Sequence, residues 1–176
     1  FDRNGIKFYR ADGEISKADE QAMLSAAVAP PVNLQLVPLP EANPTAHQAY
    51  VQRYTNFCEA NALRAMRVGV YEHSSVARDI LRSILEELGA EVISLGRTDT
   101  FVPIDTEAVA PEDVLRAREW AKQYQFDAIL STDGDGDRPL IGDEQGNWLR
   151  GDLVGVLCAR YLNSSVVVTP VSSNPA

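Results

Sequence analysis

The densest chemistry in the chain lies in eight consecutive residues, Ser131-Thr132-Asp133-Gly134-Asp135-Gly136-Asp137-Arg138. Three carboxylates stand at alternate positions, and the glycines between them leave the backbone free to curl and bring the acids together. Unit charges about 4 Å apart repel by about 4 kcal/mol at an effective dielectric near 20, so such a trio calls for a cation or a proton. Oxygen donors without His or Cys favour Mg²⁺, Ca²⁺ or Mn²⁺ over zinc or copper. Arg138 adds a planar fork suited to phosphate, and cation plus guanidinium together point to a site that handles phosphoryl groups.

Two other loop chemistries share part of this spacing. A calcium-binding EF-hand wants acids at its first, third, fifth and twelfth positions, which Asp133, Asp135, Asp137 and Glu144 occupy. Its sharp-turn glycine is replaced by Arg138, however, and Pro139 follows at once. An aspartate-nucleophile phosphatase would make Asp133 a covalent phosphoryl acceptor and would want a lysine nearby. The only lysines are Lys7, Lys17 and Lys122, and none is in a convincing position.

A loop of this kind has to be held by something rigid. Upstream of it, Val68–Tyr71, Val92–Leu95 and Phe126–Leu130 read as short apolar strands. Between them lie two helices: one from Val76 to Leu88, stopped by Gly89, and one opened by Pro111 with Val114, Leu115, Ala117, Trp120, Ala121 and Tyr124 on one face. Alternating strands and helices predict an α/β three-layer sandwich with a mostly parallel sheet, in which ligands collect at the carboxyl ends of the strands. The acidic loop sits at such an end. So do His73, before a helix N-terminus, and Arg97; Arg78 lies on the first turn of the helix. These three are secondary cleft candidates, each with a plain structural alternative: a helix cap for His73, a surface ion pair for Arg78, a polar loop for Arg97.

Elsewhere, Asp12-Gly13 predicts a hairpin turn, with Gly5, Ile6, Lys7, Phe8, Tyr9 and Arg10 before it reading as a domain edge, and Ser16 with Asp19 a capping box opening a weak helix to Val28. Pro30, Pro31, Pro38, Pro40 and Pro44 predict a non-helical connector, and Tyr50–Ala62 an amphipathic helix. After the acidic loop, Pro139–Ile141 and Trp148–Leu149 suggest a hairpin, Asp152 a cap for a helix from Leu153 to about Leu162, and Ser165–Thr169 a last strand. Trp120 and Trp148 read as packing residues, and Cys58 and Cys158 as small buried hydrophobes.

Composition narrows the classes. The 176 residues are 45% hydrophobic and 23% charged, enough to bury a core. A net charge of −9 disfavours nucleic acid and anionic membranes as partners. No apolar run approaches the roughly 18 to 20 residues of a membrane span, and no signal peptide opens the chain, so a cytoplasmic protein is expected. A start at Phe1 and a stop soon after Val166–Val168 suggest a piece of a longer protein.

Thr132-Asp133-Gly134-Asp135-Gly136-Asp137-Arg138-Pro139 resembles the metal loop of the α-D-phosphohexomutases, and most of all the bacterial phosphomannomutase/phosphoglucomutase branch. Tyr71 to Asp79, Gly96 to Glu107 and Leu140-Ile141-Gly142-Asp143 carry the same resemblance, with Ala77 standing where glycine is expected. The resemblance implies that residues 1–45 close a first domain, 46–150 form a metal-binding second domain and 151–176 open a third. It implies Mg²⁺ held by Asp133, Asp135 and Asp137, with Arg138 steadying a phosphoryl group. The implied activity moves a phosphoryl group between a phosphoserine and a hexose phosphate, through a bisphosphate that reorients. The phosphosugar and the other domains of the enzyme would be its partners. No serine loop of the Thr-x-Ser-His-Asn-Pro type is present, so the serine is expected upstream of Phe1 and this chain alone is expected to be inactive.

Overall fold

The structure is a computed structural model that describes residues 7–29, 33 and 37–173. Gly5, Ile6, Pro30 and Pro31, which entered the sequence reading, lie outside the described residues. The chain divides into two compact units, residues 1–42 and 43–176.

In the first unit, β1 (Tyr9–Arg10) and β2 (Gly13–Glu14) pair antiparallel around the Asp12 turn. Helix α1 (Lys17–Ser25) starts at the capping box: Ser16 Oγ accepts the Asp19 N–H, and Asp19 Oδ2 accepts the Ser16 N–H. It ends at Ser25 rather than Val28 and buries no side chain.

The second unit opens with α2 (Pro44–Thr55), whose first residue is the proline expected to end a connector. Asn43 caps it by accepting the Thr45 N–H, and proline is at home on a first turn, where its missing donor costs nothing. The helix therefore starts earlier and stops sooner than the apolar spacing from Tyr50 to Ala62 suggests. Phe57 and Ala62 fall in turns, where Asn61 and Ala65 take φ of 58° and 67°, and Val51 alone of α2 is buried.

The sheet that carries the acidic loop has the order β4-β3-β5-β6. Strand β3 (Arg67–Tyr71) lies between β4 (Glu91–Leu95) and β5 (Ala128–Thr132), parallel to both. Helix α3 (Arg78–Glu87) joins β3 to β4, and α4 (Pro111–Tyr124) joins β4 to β5. Strand β6 (Pro139–Gly142) pairs antiparallel with β5, Thr132 opposite Pro139 and Ile129 opposite Gly142.

Side-chain alternation along β3 splits the core into two layers. Val68 and Val70 pack with Leu85, Leu81 and Leu130 on the α3 face, while Tyr71 packs with Leu95, Ala117, Ala121, Phe126 and Ile129 on the α4 face. Gly69 belongs to the second face, where a Cβ would come within 2.8 Å of Leu95 and 2.9 Å of Phe126, so only glycine admits those two side chains. Sheet and flanking helices make the α/β three-layer arrangement that the alternation predicts. Trp120 packs edge-on against Tyr71, and Trp148 rests on the same core, its indole N–H donating to the Asp113 carbonyl.

Two local expectations change. The third strand is Ala128–Thr132, two residues later than Phe126–Leu130, because Asp127 is occupied in closing the sheet end: its Oδ2 accepts, and its N–H donates to, the Arg67 backbone. Val76 and Leu115, expected on buried helix faces, are exposed. The suggested hairpin is present but short: the Leu149 N–H donates to the Ile141 carbonyl, the Asp143 N–H to the Asn147 carbonyl, and Gly142 bridges Trp148, on the edge of β6 that faces away from β5.

Helix α5 (Gly151–Tyr161) is capped at Arg150, and Asp152 sits inside the first turn, accepting the Leu153 N–H. Residues 165–169 form no strand, having no ladder partner among the described residues. Contrary to the expectation of buried thiols, Cys58 is half-buried in the bend after α2, and Cys158 is exposed on α5, beside an open hollow that it shares with Phe57, Ile141 and Leu149. No helix among the described residues is long and apolar enough to cross a membrane.

Candidate metal centre

The acidic loop is the connection of the β5–β6 hairpin, so both its ends stand in a hydrogen-bonded ladder. Ser131 and Thr132, read from sequence as loop, are the last residues of β5. Their hydroxyls are satisfied as buried polar groups must be: Ser131 Oγ donates to the Tyr71 carbonyl at 2.8 Å, and Thr132 Oγ1 to the Asp133 carbonyl at 2.8 Å.

Asp133 organises the turn. Its Oδ1 accepts the N–H groups of Gly136, Asp137 and Arg138 at 3.1, 3.2 and 3.3 Å, and its own N–H donates to the Arg138 carbonyl. That geometry needs Gly136 at φ 78°, where a Cβ would also meet the Ala77 Cβ at 2.7 Å. The consequence is convergence: one carboxylate oxygen each from Asp133, Asp135 and Asp137 lie within 4.8 Å of one another. Asp133 is half-buried, while Asp135 and Asp137 are exposed. The Asp137 carboxyl is pushed above its usual range, chiefly by the hydrogen bond it can give to Asp133 when protonated, then by desolvation and by the charges of Asp135 and Asp133, against the pull of Arg138. Three converging hard-oxygen donors with no nitrogen or sulfur among them suit Mg²⁺ or a cation like it.

Arg138 leans across the acids. Its Nε is 3.9 Å from both Asp133 and Asp137, and its Nη1 is 3.5 Å from Glu107. With Glu107, Arg150, Ser172 and Ser173 it also lines a hollow of about 590 Å³. Glu107 and Asp152 line the same hollow and pair with Arg138 at 3.5 Å and Arg150 at 3.3 Å, so its two guanidinium groups are balanced by two carboxylates.

Of the three secondary candidates, His73 and Arg97 follow the ends of β3 and β4 and Arg78 opens α3, and none joins the acid cluster. His73 is fully buried with φ 30°, and its Nε2–H donates to the Thr132 carbonyl at 2.9 Å, leaving Nδ1 without a partner. Burial pushes its pKa down from the ordinary imidazole value, which favours the neutral ring. Arg78 donates to the carbonyls of His73 and Thr98 and pairs with Asp99 at 2.9 Å. Arg97 pairs with Asp79 at 2.7 Å and with Glu72 at 3.1 Å.

Glu72 was missed from sequence although it is fully buried. Burial pushes its carboxyl up, and hydrogen bonds from Ser94, Arg82 and Arg97 more than reverse that, holding it below its usual range. The signal was available: an acid directly after the apolar run Val68-Gly69-Val70-Tyr71 has to be paired or exposed.

Comparison with known proteins converges on one group. The sequence profile described as "Phosphoglucomutase/phosphomannomutase, alpha/beta/alpha domain II" matches residues 48–146. A phosphomannomutase of Salmonella muenchen is 52% identical over 176 residues, covering 99% of this chain and 36% of that protein. A phosphomannomutase of Sinorhizobium fredii is 46% identical over 178 residues, covering 98% of this chain and 38% of that protein. The chain thus spans little more than a third of these relatives' length. A crystal structure of a phosphoglucomutase/phosphomannomutase family protein from Burkholderia thailandensis shares the fold, with a TM-score of 0.58 and 21% identity over 68% of this chain and 26% of that one. With the profile running from α2 through the acidic loop to the turn after β6, the chain belongs to the phosphoglucomutase/phosphomannomutase family and contains that family's α/β/α domain II.

Proposed function

We propose that this chain is the magnesium-carrying part of a phosphohexomutase, an enzyme that interconverts hexose 6-phosphate and hexose 1-phosphate through a phosphoserine and a bisphosphate intermediate. The observation that carries the reading is the convergence of Asp133, Asp135 and Asp137 beside Arg138. The names of the relatives support the reaction class.

In this reading the three aspartates hold Mg²⁺ through carboxylate oxygens, and Asp133 does so with one oxygen already committed to the loop backbone. When bound, the ion supplies positive charge against a phosphoryl oxygen. Arg138 presents its fork to the same phosphoryl group and orients it. Arg150, Ser172 and Ser173 line the hollow that would receive the phosphosugar. The chain's own work is positioning and charge neutralisation, with the phosphorylated serine and the rest of the sugar site contributed by other parts of the enzyme. Residues 1–45 and 151–176 would then belong to the neighbouring domains.

The rival loop chemistries lose their footing in the geometry. An EF-hand loop needs a helix on each side, and this loop stands between β5 and β6. Lys122, the one lysine of the second unit, lines a different hollow with Glu144, Gln145 and Asn147.

Titration calorimetry with Mg²⁺ tests the assignment. Asp135→Ala should abolish binding and Glu144→Ala should leave it unchanged; the reverse pattern would sink the mutase reading in favour of a calcium-type loop.

A further inference from the structure

Beneath the acidic loop runs a line of hydrogen bonds that neither the metal nor the phosphate reading employs. The Ala77 N–H donates to Ser75 Oγ at 3.1 Å, Ser75 Oγ lies 2.7 Å from Thr132 Oγ1, and Thr132 Oγ1 donates to the Asp133 carbonyl at 2.8 Å. A hydroxyl has one proton, and that of Thr132 is spent on Asp133. Ser75 is therefore the donor to Thr132, and the bonds run in one direction from the N-terminus of α3 to the first acid of the loop. Hydrogen bonds aligned donor to acceptor in this way polarise and strengthen one another. Ser75 is buried, so little water competes for the central bond.

The same turn touches the loop at three other points. The Val76 N–H donates to the Gly134 carbonyl at 3.0 Å, His73 holds the Thr132 carbonyl, and the Ala77 methyl sits where a Cβ on Gly136 would lie. His73 meets its carbonyl from a φ of 30°, a strained setting for a non-glycine residue, which persists only where surrounding contacts hold it.

We propose that Ser75 is a positioning residue: through Thr132 it orients the Asp133 peptide, and so sets the convergence of the three carboxylates. It touches neither ion nor sugar. The inference rests on the magnesium reading for its consequence in metal affinity, but not for its consequence in loop order.

Two readouts separate the two on the intact chain. Amide hydrogen exchange of Gly136, Asp137 and Arg138, the three donors to Asp133, reports loop order without metal. Paramagnetic resonance with Mn²⁺ reports affinity. Ser75→Ala and Thr132→Val should each speed those amides by about 10-fold and weaken Mn²⁺ by about 10-fold, as losses of outer-shell partners do. Thr132→Ser, which keeps the hydroxyl, should restore both. The double variant Ser75→Ala/Thr132→Val should be no worse than the worse single, because both break one line of bonds. Ser75→Ala also frees the Ala77 N–H, whereas Thr132→Val leaves that bond intact, so agreement between the two isolates the relay from the turn that precedes α3. Unchanged amide exchange in both variants, or effects that add in the double, overturns the positioning role. Loss of loop order in a chain whose wild type binds no Mn²⁺ upholds the positioning role and overturns the magnesium reading instead.

Discussion

At the scale of single residues, Gly136 and Glu72 carry the most constraint for opposite reasons. Gly136 is required by shape: a side chain there meets both a φ of 78° and the Ala77 methyl at 2.7 Å. Gly136→Ala should cost about 1 to 3 kcal/mol in chemical denaturation and weaken Mg²⁺ binding in the same protein. Glu72 is required by charge. Two arginines and a serine converge on a carboxylate that water does not reach, and Glu72→Gln should cost about 2 kcal/mol. Its pKa in the folded chain lies below the ordinary glutamate value, so the stability it contributes is complete above that ordinary value and is lost as the pH falls through the folded one. His73 acts in a higher window. Its folded pKa lies below 6.5, the unfolded chain takes up the proton first, and stability falls as the pH drops from about 7. A melting series from pH 7.5 to 5 should therefore slope downward, and His73→Gln, which keeps a donor for the Thr132 carbonyl but does not titrate, should flatten it.

At the scale of elements, β3, α3, β4 and α4 could be read almost in place, because a burial period of two or of 3.6 residues is a local property of sequence. Pairings could be read only in part. Pro139-Leu140-Ile141-Gly142 reads as pairing with Trp148-Leu149, which it does on one edge, but nothing in those four residues announces the ladder with β5 on the other. The same blindness hid the roles of Ser131 and Thr132, whose hydroxyls look like loop polarity until their partners on β3 and the following turn are seen. The three acids were legible because their like charges at close spacing admit few explanations. Arg138 was legible by adjacency, whereas Ser75 answers a residue 57 positions away. Helix α5 makes the complementary point. The helix forms close to where the sequence places it, yet its apolar residues Leu153, Val156, Leu157 and Tyr161 are exposed, and the strand expected after it does not form. Leu157→Ser should change stability by less than about 0.5 kcal/mol, against about 3 kcal/mol for Leu85→Ala in the α3 layer.

At the scale of the whole molecule, acid repulsion and ion binding are linked to folding. An ion that binds only the folded loop stabilises the chain by about 1.4 kcal/mol at ten times its dissociation constant. Added Mg²⁺ should raise the melting temperature, EDTA should return it to the starting value, and Asp135→Ala should be indifferent to both. The anchoring of the loop has a mechanical consequence. Its two feet, Thr132 and Pro139, face each other in a ladder continuous with the central strands. The acids are thus mounted on paired strands, as a lathe carries its tool post. A ligand seated at this loop therefore meets carboxylates whose spacing is fixed by the pairing of the strands beneath them.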